Sequence, residues 1–311
     1  MRKNCSVGGQ AVIEGVMMRG SKGLAIAVRC EDGHIEVKKE DTLPISKRYK
    51  IFNIPVLRGF LSLIDSLVEG IKSLNYSASF FEEEEEEEKG FQKIFKSIFK
   101  DKSNDVTMGI TLIISLALSV SIFFIFPTFV ANVFKGLITH NKNIILNIIE
   151  GVIRVIIFIL YIYLVGKLED IHRVFQYHGA EHKTVFCYEN ELELTPENAK
   201  KFKRFHPRCG TNFLFLVMIV SIILFSFTGW NSLLERIISR VLLLPIISGI
   251  TYELIRWMGR SDSKLSKIIA YPGLALQKLT TQEPDDAQLE VAIAALEAAE
   301  GIEKTVVTLE G

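Results

Sequence analysis

The sequence IILNIIEGVIRVIIFILYIYLV (residues 144–165) decides the class of fold, because it is long and almost entirely apolar. A hydrocarbon core about 30 Å thick is crossed by a helix of about 20 apolar residues. Residues 108–138 form a second block of this kind, whereas 213–227 and 237–255 are shorter and need their flanks to reach across. These blocks predict a mostly α-helical membrane protein with about four transmembrane helices.

The composition of the chain agrees with this class. The 311 residues are 49% hydrophobic and their mean hydropathy is +0.28, which is more apolar than expected for an ordinary soluble enzyme. Basic and acidic residues number 36 each, so no general basic character points to nucleic acid as a partner. The lipid bilayer is the expected partner, a membrane-protein partner is an alternative, and the oligomeric state is left open.

The loops predict the orientation in the membrane. Lysines and arginines are concentrated in residues 166–212 and after the last apolar block, and few occur in the two short links. By the positive-inside rule, the central loop and both termini lie in the cytoplasm of a multi-pass protein of the cell (plasma) membrane. Residues 1–20 are polar and rich in glycine, so they do not resemble a cleavable signal peptide.

The polar segments predict the soluble parts of the chain. Residues 24–29 and 34–38 are two short strand-like runs on either side of Glu-Asp-Gly, which is typical of a hairpin. Residues 55–75 repeat apolar side chains every three or four positions, which predicts an amphipathic helix against the bilayer or the helix bundle. The glutamates at 82–88 repel one another and predict a solvated linker. The regions are a cytoplasmic β-rich unit at 1–50, amphipathic helices and the acidic linker at 51–106, the four-helix membrane region at 107–256 with the cytoplasmic loop 166–212, and a cytoplasmic C-terminal segment at 257–311 with a turn at 271–273 and a helix.

The central loop contains His178, Glu181 and His182 in the pattern H-x-x-E-H, the inverse of a zinc-hydrolase motif. Residues four apart share one face of a helix, so both imidazoles can bind one metal ion. Glu181 is close enough to act as a general base there, and it is the predicted catalytic residue. The alternative is a pair of surface or capping histidines that bind no metal. Gly179 costs roughly 1 kcal/mol relative to alanine in a helix, which weakens the assumption that the motif is helical.

A second motif in the same loop supplies further ligands. His206 and Cys209, in the turn-forming sequence HPRCGT, are both competent metal ligands. A divalent metal, zinc by preference, bound by the two histidines of the first motif and one of these residues keeps a fourth position for water. If both bind, the site is closed and structural, and Glu181 loses its catalytic role. Glu253 is another candidate ligand. For His206 and Cys209, a hydrogen-bonded turn that packs under the helix is an equally favoured interpretation.

Two further sets of residues are candidates outside this loop. Glu14 and Arg19 lie in the glycine-rich sequence GGQAVIEGVMMRG. A phosphate cradle would need a Walker lysine and serine at the required spacing, and this motif lacks them. Turns at a strand edge are therefore the favoured interpretation. Glu150 and Arg154 are four apart at membrane depth. An ion pair within one helix is favoured over a polar conduit, because one pair does not make a continuous pathway.

The chain carries four longer motifs: GGQAVIEGVMMRG at 8–20, YHGAEHK at 177–183, HPRCGT at 206–211 and PGLALQKLTTQEPDDAQLEVAI at 272–293. Together they resemble the bacterial YqhQ-like family, a domain of unknown function that carries the label of a predicted metal-dependent enzyme. The resemblance covers nearly the whole chain and leaves out the acidic tract. It implies metal dependence at His178, Glu181 and His182, and it implies no particular reaction.

Functional hypotheses from different classes follow from these observations. The first is a metal-dependent hydrolase at the cytoplasmic face of the membrane that acts on a lipid or a peptide. The second is a non-catalytic membrane scaffold or membrane-protein biogenesis factor, because the soluble part is large and no second catalytic constellation is evident. A transporter is a third hypothesis with less support, because no internal repeat is evident.

Overall fold

The computed structural model describes residues 7–40, 54–81, 113–138, 140, 142–207, 209–228, 232–261 and 263–302. The chain is mostly helical with a small N-terminal sheet, as predicted, and the acidic linker lies outside the described residues. The strands are β1 (Gly8–Val12), β2 (Gly15–Arg19), β3 (Leu24–Arg29) and β4 (Ile35–Glu40). The helices are α1 (Leu57–Ala78), α2 (Ile113–Gly136, with a π-helical turn at Ser121–Ile125), α3 (Lys142–Val165), α4 (Glu169–Glu189), α5 (Pro196–Lys200), α6 (Gly210–Phe225), α7 (Leu233–Met258), α8 (Lys264–Thr280) and α9 (Asp286–Glu300).

Three of these helices, α2, α3 and α7, are long and apolar enough to cross a membrane. Their surfaces are apolar, and Phe129 and Leu242 for example are 67% and 69% exposed. The third predicted block forms α6, whose 16 residues extend about 24 Å, less than the hydrocarbon core of about 30 Å. The described residues therefore contain three candidate spans and one shorter apolar helix, which packs against α3 and α7.

The sheet is an antiparallel meander in the order β1-β2-β3-β4. The predicted hairpin between β3 and β4 is confirmed, with Arg29 opposite Ile35. The glycine-rich motif forms a second hairpin, and its turn places Glu14 in the left-handed region with φ 47°. A side-chain carbon at Gly15 would lie 2.3 Å from the carbonyl oxygen of Ala27, so only glycine fits there.

Both faces of the sheet are covered. One face packs on α4 and α9, and the buried side chains of this core include Val16, Met18, Ala25, Ala27, Tyr177, Ala180, Leu289 and Leu296. The other face lies under the aromatic side chains Tyr76, Phe80 and Phe81 at the C-terminal end of α1. Burial of one large apolar side chain stabilises a fold by about 1.5–3 kcal/mol. Elements from three distant parts of the chain thus share one core.

Helix α1 connects the sheet to the membrane region. Its buried face is small and polar and comprises Gly59, Asp65, Gly70, Ser73 and Ser77. A side-chain carbon at Gly59 would lie 2.7 Å from Tyr252 Cβ and 2.9 Å from Gly249 Cα, both on α7. The apolar side chains point outward, and Leu67 and Ile71 are 56% and 59% exposed. Helix α1 therefore packs on the bundle through its small residues and presents an apolar face, as a helix lying on a bilayer does.

The predicted turn at 271–273 is wrong, because α8 continues as a helix through Pro272. Gly273 lies where α8 crosses α6, and a side-chain carbon there would be 1.7 Å from Asn212 Oδ1. The Pro-Gly pair therefore marks a close helix crossing. This crossing brings the C-terminal end of α8 against the HPRCGT turn.

Candidate metal centre

The two histidines of the H-x-x-E-H motif lie on one face of α4, with their ring centroids 4.5 Å apart. The helical conformation of the motif is as predicted. Gly179 lies where the chain after α8 passes over α4, and a side-chain carbon there would be 2.1 Å from the carbonyl oxygen of Gln282. The glycine that is unfavourable for a helix in isolation is therefore required by the segment that crosses it.

Cys209 is the third donor of the cluster. It forms the N-cap of α6, and its Sγ accepts a hydrogen bond from the backbone N–H of Thr211 at 3.3 Å. His178 Nε2 is 3.1 Å from Cys209 Sγ. The ligand atoms of His178, His182 and Cys209 all lie within 4.8 Å of one another. Two imidazole nitrogens and one sulfur form a donor set that zinc accepts.

The second nitrogen of each ring fixes the orientation of both histidines. His178 Nδ1 is 2.8 Å from the carbonyl oxygen of Thr280, and His182 Nδ1 is 2.5 Å from that of Arg204. A carbonyl oxygen only accepts, so each Nδ1 must donate and each Nε2 then presents a lone pair. His182 Nε2 is buried and has no hydrogen-bond partner among the described residues. A metal ion would satisfy that lone pair, so these residues fit a metal site.

Helix α8 holds the HPRCGT turn in place. The side chain of Gln277 accepts from the backbone N–H of His206 and donates to its carbonyl oxygen, at 2.7 Å in both cases. Gln277 is fully buried, which protects both hydrogen bonds from water. Asn212 Nδ2 donates to the carbonyl oxygen of Pro207 at 2.9 Å. These hydrogen bonds hold the residues that precede Cys209 in the turn.

His206 and Glu181 lie beside the three donors without joining them. His206 Nε2 is 3.6 Å from Glu189 Oε2, and its ring packs 4.5 Å from that of Phe186 and 5.7 Å from that of His182. The Glu181 side chain is buried, and its Oε1 accepts from the backbone N–H of Gly9 at 3.0 Å. The carboxylate predicted to act on a substrate thus contacts strand β1.

Glu14 of the glycine-rich motif joins the sheet to α4. Arg173 donates two hydrogen bonds to the Glu14 carboxylate, both 2.5 Å long, and Tyr177 donates to Glu14 Oε2 at 3.2 Å. Burial and then the charge of Glu14 raise the pKa of Tyr177, so its hydroxyl keeps the proton that it donates. Arg19 ends β2 and is partly exposed. The structure brings neither Glu14 nor Arg19 into the metal cluster.

The remaining candidates lie in the membrane helices. Glu253 is bound by Arg58 of α1 through two hydrogen bonds, each 2.6 Å long, and it is not one of the clustered donors. Glu150 and Arg154 form the predicted ion pair at 2.8 Å. Arg236 and Arg240 of α7 also contact Glu150, which the spacing within one helix did not predict.

Several groups that position the cluster were not foreseen from the sequence. The carbonyl oxygens of Arg204 and Thr280 hold the rings, and every residue has such an oxygen, so no sequence signal marks them. Gln277 lies within the recognised C-terminal motif, but residue type alone does not predict its role. Cys187 is not one of these groups, because it is buried in the core beneath the sheet. Its burial raises the pKa of the thiol, and Sγ donates to the carbonyl oxygen of Glu193 at 3.4 Å.

Comparison with known proteins places the chain in a family. Residues 54–301 match a family model described as a protein of unknown function, DUF1385. The chain is also similar to the uncharacterized protein YqhQ of Bacillus subtilis (strain 168), with 36% identity over 297 residues that cover 92% of this chain and 89% of that protein. No solved structure matches. The chain therefore belongs to the YqhQ-like DUF1385 family of unknown function.

Proposed function

We propose that this membrane protein holds one divalent metal ion, zinc by preference, at His178, His182 and Cys209, and that it is a hydrolase acting on a lipid or a peptide at the cytoplasmic face. One observation carries the metal site. The buried Nε2 of His182 has no hydrogen-bond partner among the described residues, yet it lies within 4.8 Å of the two other donors.

The number of donors favours a catalytic over a structural metal. Structural zinc sites have four protein ligands, whereas catalytic sites have three and keep one position open. In the part of the chain that the structure describes, three donors form the group. His178 is partly exposed, so a substrate can approach from that side. A divalent ion bound here would supply Lewis-acid chemistry to a carbonyl or phosphoryl oxygen.

Glu181 is the proposed proton acceptor of this reaction. It precedes His182 directly, and only its Oε1 is engaged by Gly9. The hydrogen bond from Gly9 fixes the carboxylate and leaves Oε2 to take a proton from the attacking nucleophile. In this role the N-terminal sheet would orient the catalytic group.

The same contact supports a second candidate, a membrane scaffold without catalysis. If Glu181 serves only to fasten β1 to α4, the metal would fasten α4 to the N-terminal end of α6. The surface of the assembled sheet, α4 and α9 would then bind a membrane-protein partner.

We further propose four spans of the plasma membrane with both termini in the cytoplasm, and the packing of the soluble elements supports the number of spans. The sheet, α4 and α9 share one core, so all three must lie on the same side. Helices α2 and α3 separate the sheet from α4, and α6 and α7 separate α4 from α9. If α7 crosses the membrane, α6 must also carry the chain across. Ser226, Phe227 and Thr228, which follow α6, would supply most of the missing length.

Metal analysis of the purified protein tests the site. The wild type should carry about one zinc per chain, and His182→Ala and Cys209→Ser should lose most of it. His172→Ala is a matched control on the exposed part of α4, and Cys30→Ser is the matched control for the cysteine. Equal metal content in all five proteins would exclude the site.

Glu181→Gln separates the two candidates. This variant keeps the shape of the side chain and should keep the metal. As a hydrolase it should lose about 100-fold or more of its activity against the substrate lipid or peptide, because one general base contributes about 10²–10⁴-fold. Unchanged activity in a metal-loaded Glu181→Gln protein would contradict a catalytic role, and retained partner binding would then favour the scaffold.

A further inference from the structure

A single buried carboxylate in the membrane region is shared by three arginines. Glu150 of α3 is 1% exposed. Its Oε1 accepts from Arg154 NH2 at 2.8 Å and from Thr128 Oγ1 at 3.1 Å. Its Oε2 accepts from Arg240 NH2 at 2.7 Å and from Arg236 NH2 at 3.3 Å. Both oxygens of Glu150 are therefore fully engaged.

The arginine cluster carries a surplus of positive charge. Arginine stays protonated, so the guanidinium groups of Arg154 and Arg240 face one carboxylate and exceed it by one charge. The other contacts of these two arginines among the described residues are a carbonyl oxygen and aromatic rings. An uncompensated charge at membrane depth is costly, and such groups are retained for function.

The cluster includes an irregular turn of α2. Arg154 Nε donates to the carbonyl oxygen of Phe123 at 3.1 Å, within the π-helical turn Ser121–Ile125. In a regular α-helix this oxygen would be occupied by its own helix, and π-helical turns are frequent at functional sites. The backbone of α2 is thus shaped to hold one of the three guanidinium groups.

The cluster lies near the membrane surface opposite the metal centre. Arg236 and Arg240 are in the first two turns of α7, whereas the metal donors follow α3 and precede α6. Helix α7 has 26 residues, so it extends about 39 Å and exceeds a hydrocarbon core of about 30 Å by several ångströms at each end. Arg240 is therefore only about 6 Å below the headgroup level.

We propose that the arginine cluster binds a phosphate group on this side of the membrane. Guanidinium groups recognise phosphate through paired hydrogen bonds, and Arg154 and Arg240 each have more donors than Glu150 can accept. A phosphate group with one negative charge would balance their surplus charge. The phosphate could belong to the headgroup of an anionic lipid or be free in solution, and the experiment below distinguishes these sources.

Thermal unfolding of the full-length protein tests the proposal. The probes are inorganic phosphate against chloride at equal ionic strength, in neutral detergent, and phosphatidylglycerol against phosphatidylcholine in nanodiscs. Either phosphate or phosphatidylglycerol should raise the melting temperature of the wild type above its matched control. Because phosphate also stabilises folded proteins without binding to them, only a response to phosphate that depends on Arg240 identifies the free anion. A response to phosphatidylglycerol alone identifies the lipid.

Two variants of the cluster should change the response in opposite ways. Arg240→Gln should weaken binding of the effective probe by about tenfold, the usual effect of losing one charge-assisted hydrogen bond. Glu150→Gln, which raises the surplus charge, should bind at least as tightly as the wild type. Arg256→Gln, at the other end of α7, is the matched control and should bind normally.

Three outcomes would overturn the proposal. One is an equal response of the wild type to each probe and its matched control. Another is unchanged binding in Arg240→Gln, and the third is the same loss in Glu150→Gln as in Arg240→Gln. Arg240→Lys keeps the charge and replaces Arg240→Gln if the latter does not fold. It should bind more weakly than the wild type, because lysine lacks the paired donors.

Discussion

Gly59→Ala should destabilise the protein, although replacing glycine by alanine in a helix normally stabilises it. The added carbon would lie 2.7 Å from Tyr252 Cβ, against an ordinary carbon–carbon contact of about 3.5 Å. Helix α1 would have to move away from α7 by about 0.8 Å, and overpacking of this kind costs about 1–3 kcal/mol. The higher helix propensity of alanine stabilises the folded protein by about 1 kcal/mol. We expect a net destabilisation of about 1 kcal/mol.

Gly70→Ala on the same helix is the matched control. Its added carbon would meet only the end of the Gln10 side chain, Oε1 at 2.5 Å, and that side chain can rotate away. This variant should be as stable as the wild type or more stable by up to about 1 kcal/mol. The assay is equilibrium unfolding in mixed micelles followed by circular dichroism. If Gly59→Ala proves at least as stable as Gly70→Ala, helix α1 does not approach α7 closely at Gly59.

Three further predictions concern the metal, the sheet and the topology. A chelator should lower the melting temperature of the wild type and leave that of His182→Ala unchanged, since an ion at 1,000 times its Kd stabilises by about 4 kcal/mol; the same shift in both proteins would exclude binding at His182. Because burial raises the pKa of Tyr177, the stability that this group contributes is complete below about pH 10 and is lost as the pH rises further. The free energy of unfolding of Tyr177→Phe should therefore fall less steeply above about pH 10 than that of the wild type, and parallel curves would contradict this. Cysteines introduced by Leu137→Cys and Thr228→Cys should both react with an impermeant reagent added outside intact cells, whereas a chain with three spans would protect Thr228→Cys.

The sequence predicted the elements whose pattern is local. Helix α3 has a continuous apolar run, and the strand pair β3 and β4 alternates around a turn, so both were expected at their places. The helix that carries His178 and His182 was also predicted from their spacing. In each case the relevant residues are neighbours in the chain, so their periodicity is visible without the fold.

The features that the sequence did not predict depend on contacts between distant segments. Gly273 lies at a helix crossing with Asn212, a contact that no local pattern distinguishes from a Pro-Gly turn. A long side chain such as that of Arg240 near a helix end can extend towards the headgroups, but Arg240 pairs instead with Glu150 on another helix. Glu181 and Gly9 are 172 positions apart, so their hydrogen bond could not be foreseen from the motif.

The shared core of the sheet and α9 has a consequence for biosynthesis. The backbone N–H of Ser21 donates to Glu300 Oε1 at 2.7 Å across 279 positions, and the three candidate membrane spans are translated between these two residues. The sheet leaves the ribosome first and cannot bury its apolar face until α9 has been made and released on the same side. A chain in which one segment failed to insert would deliver α9 to the wrong compartment. Its uncovered sheet would remain exposed to proteases that remove incompletely assembled proteins. The core therefore forms only in chains whose insertion is complete.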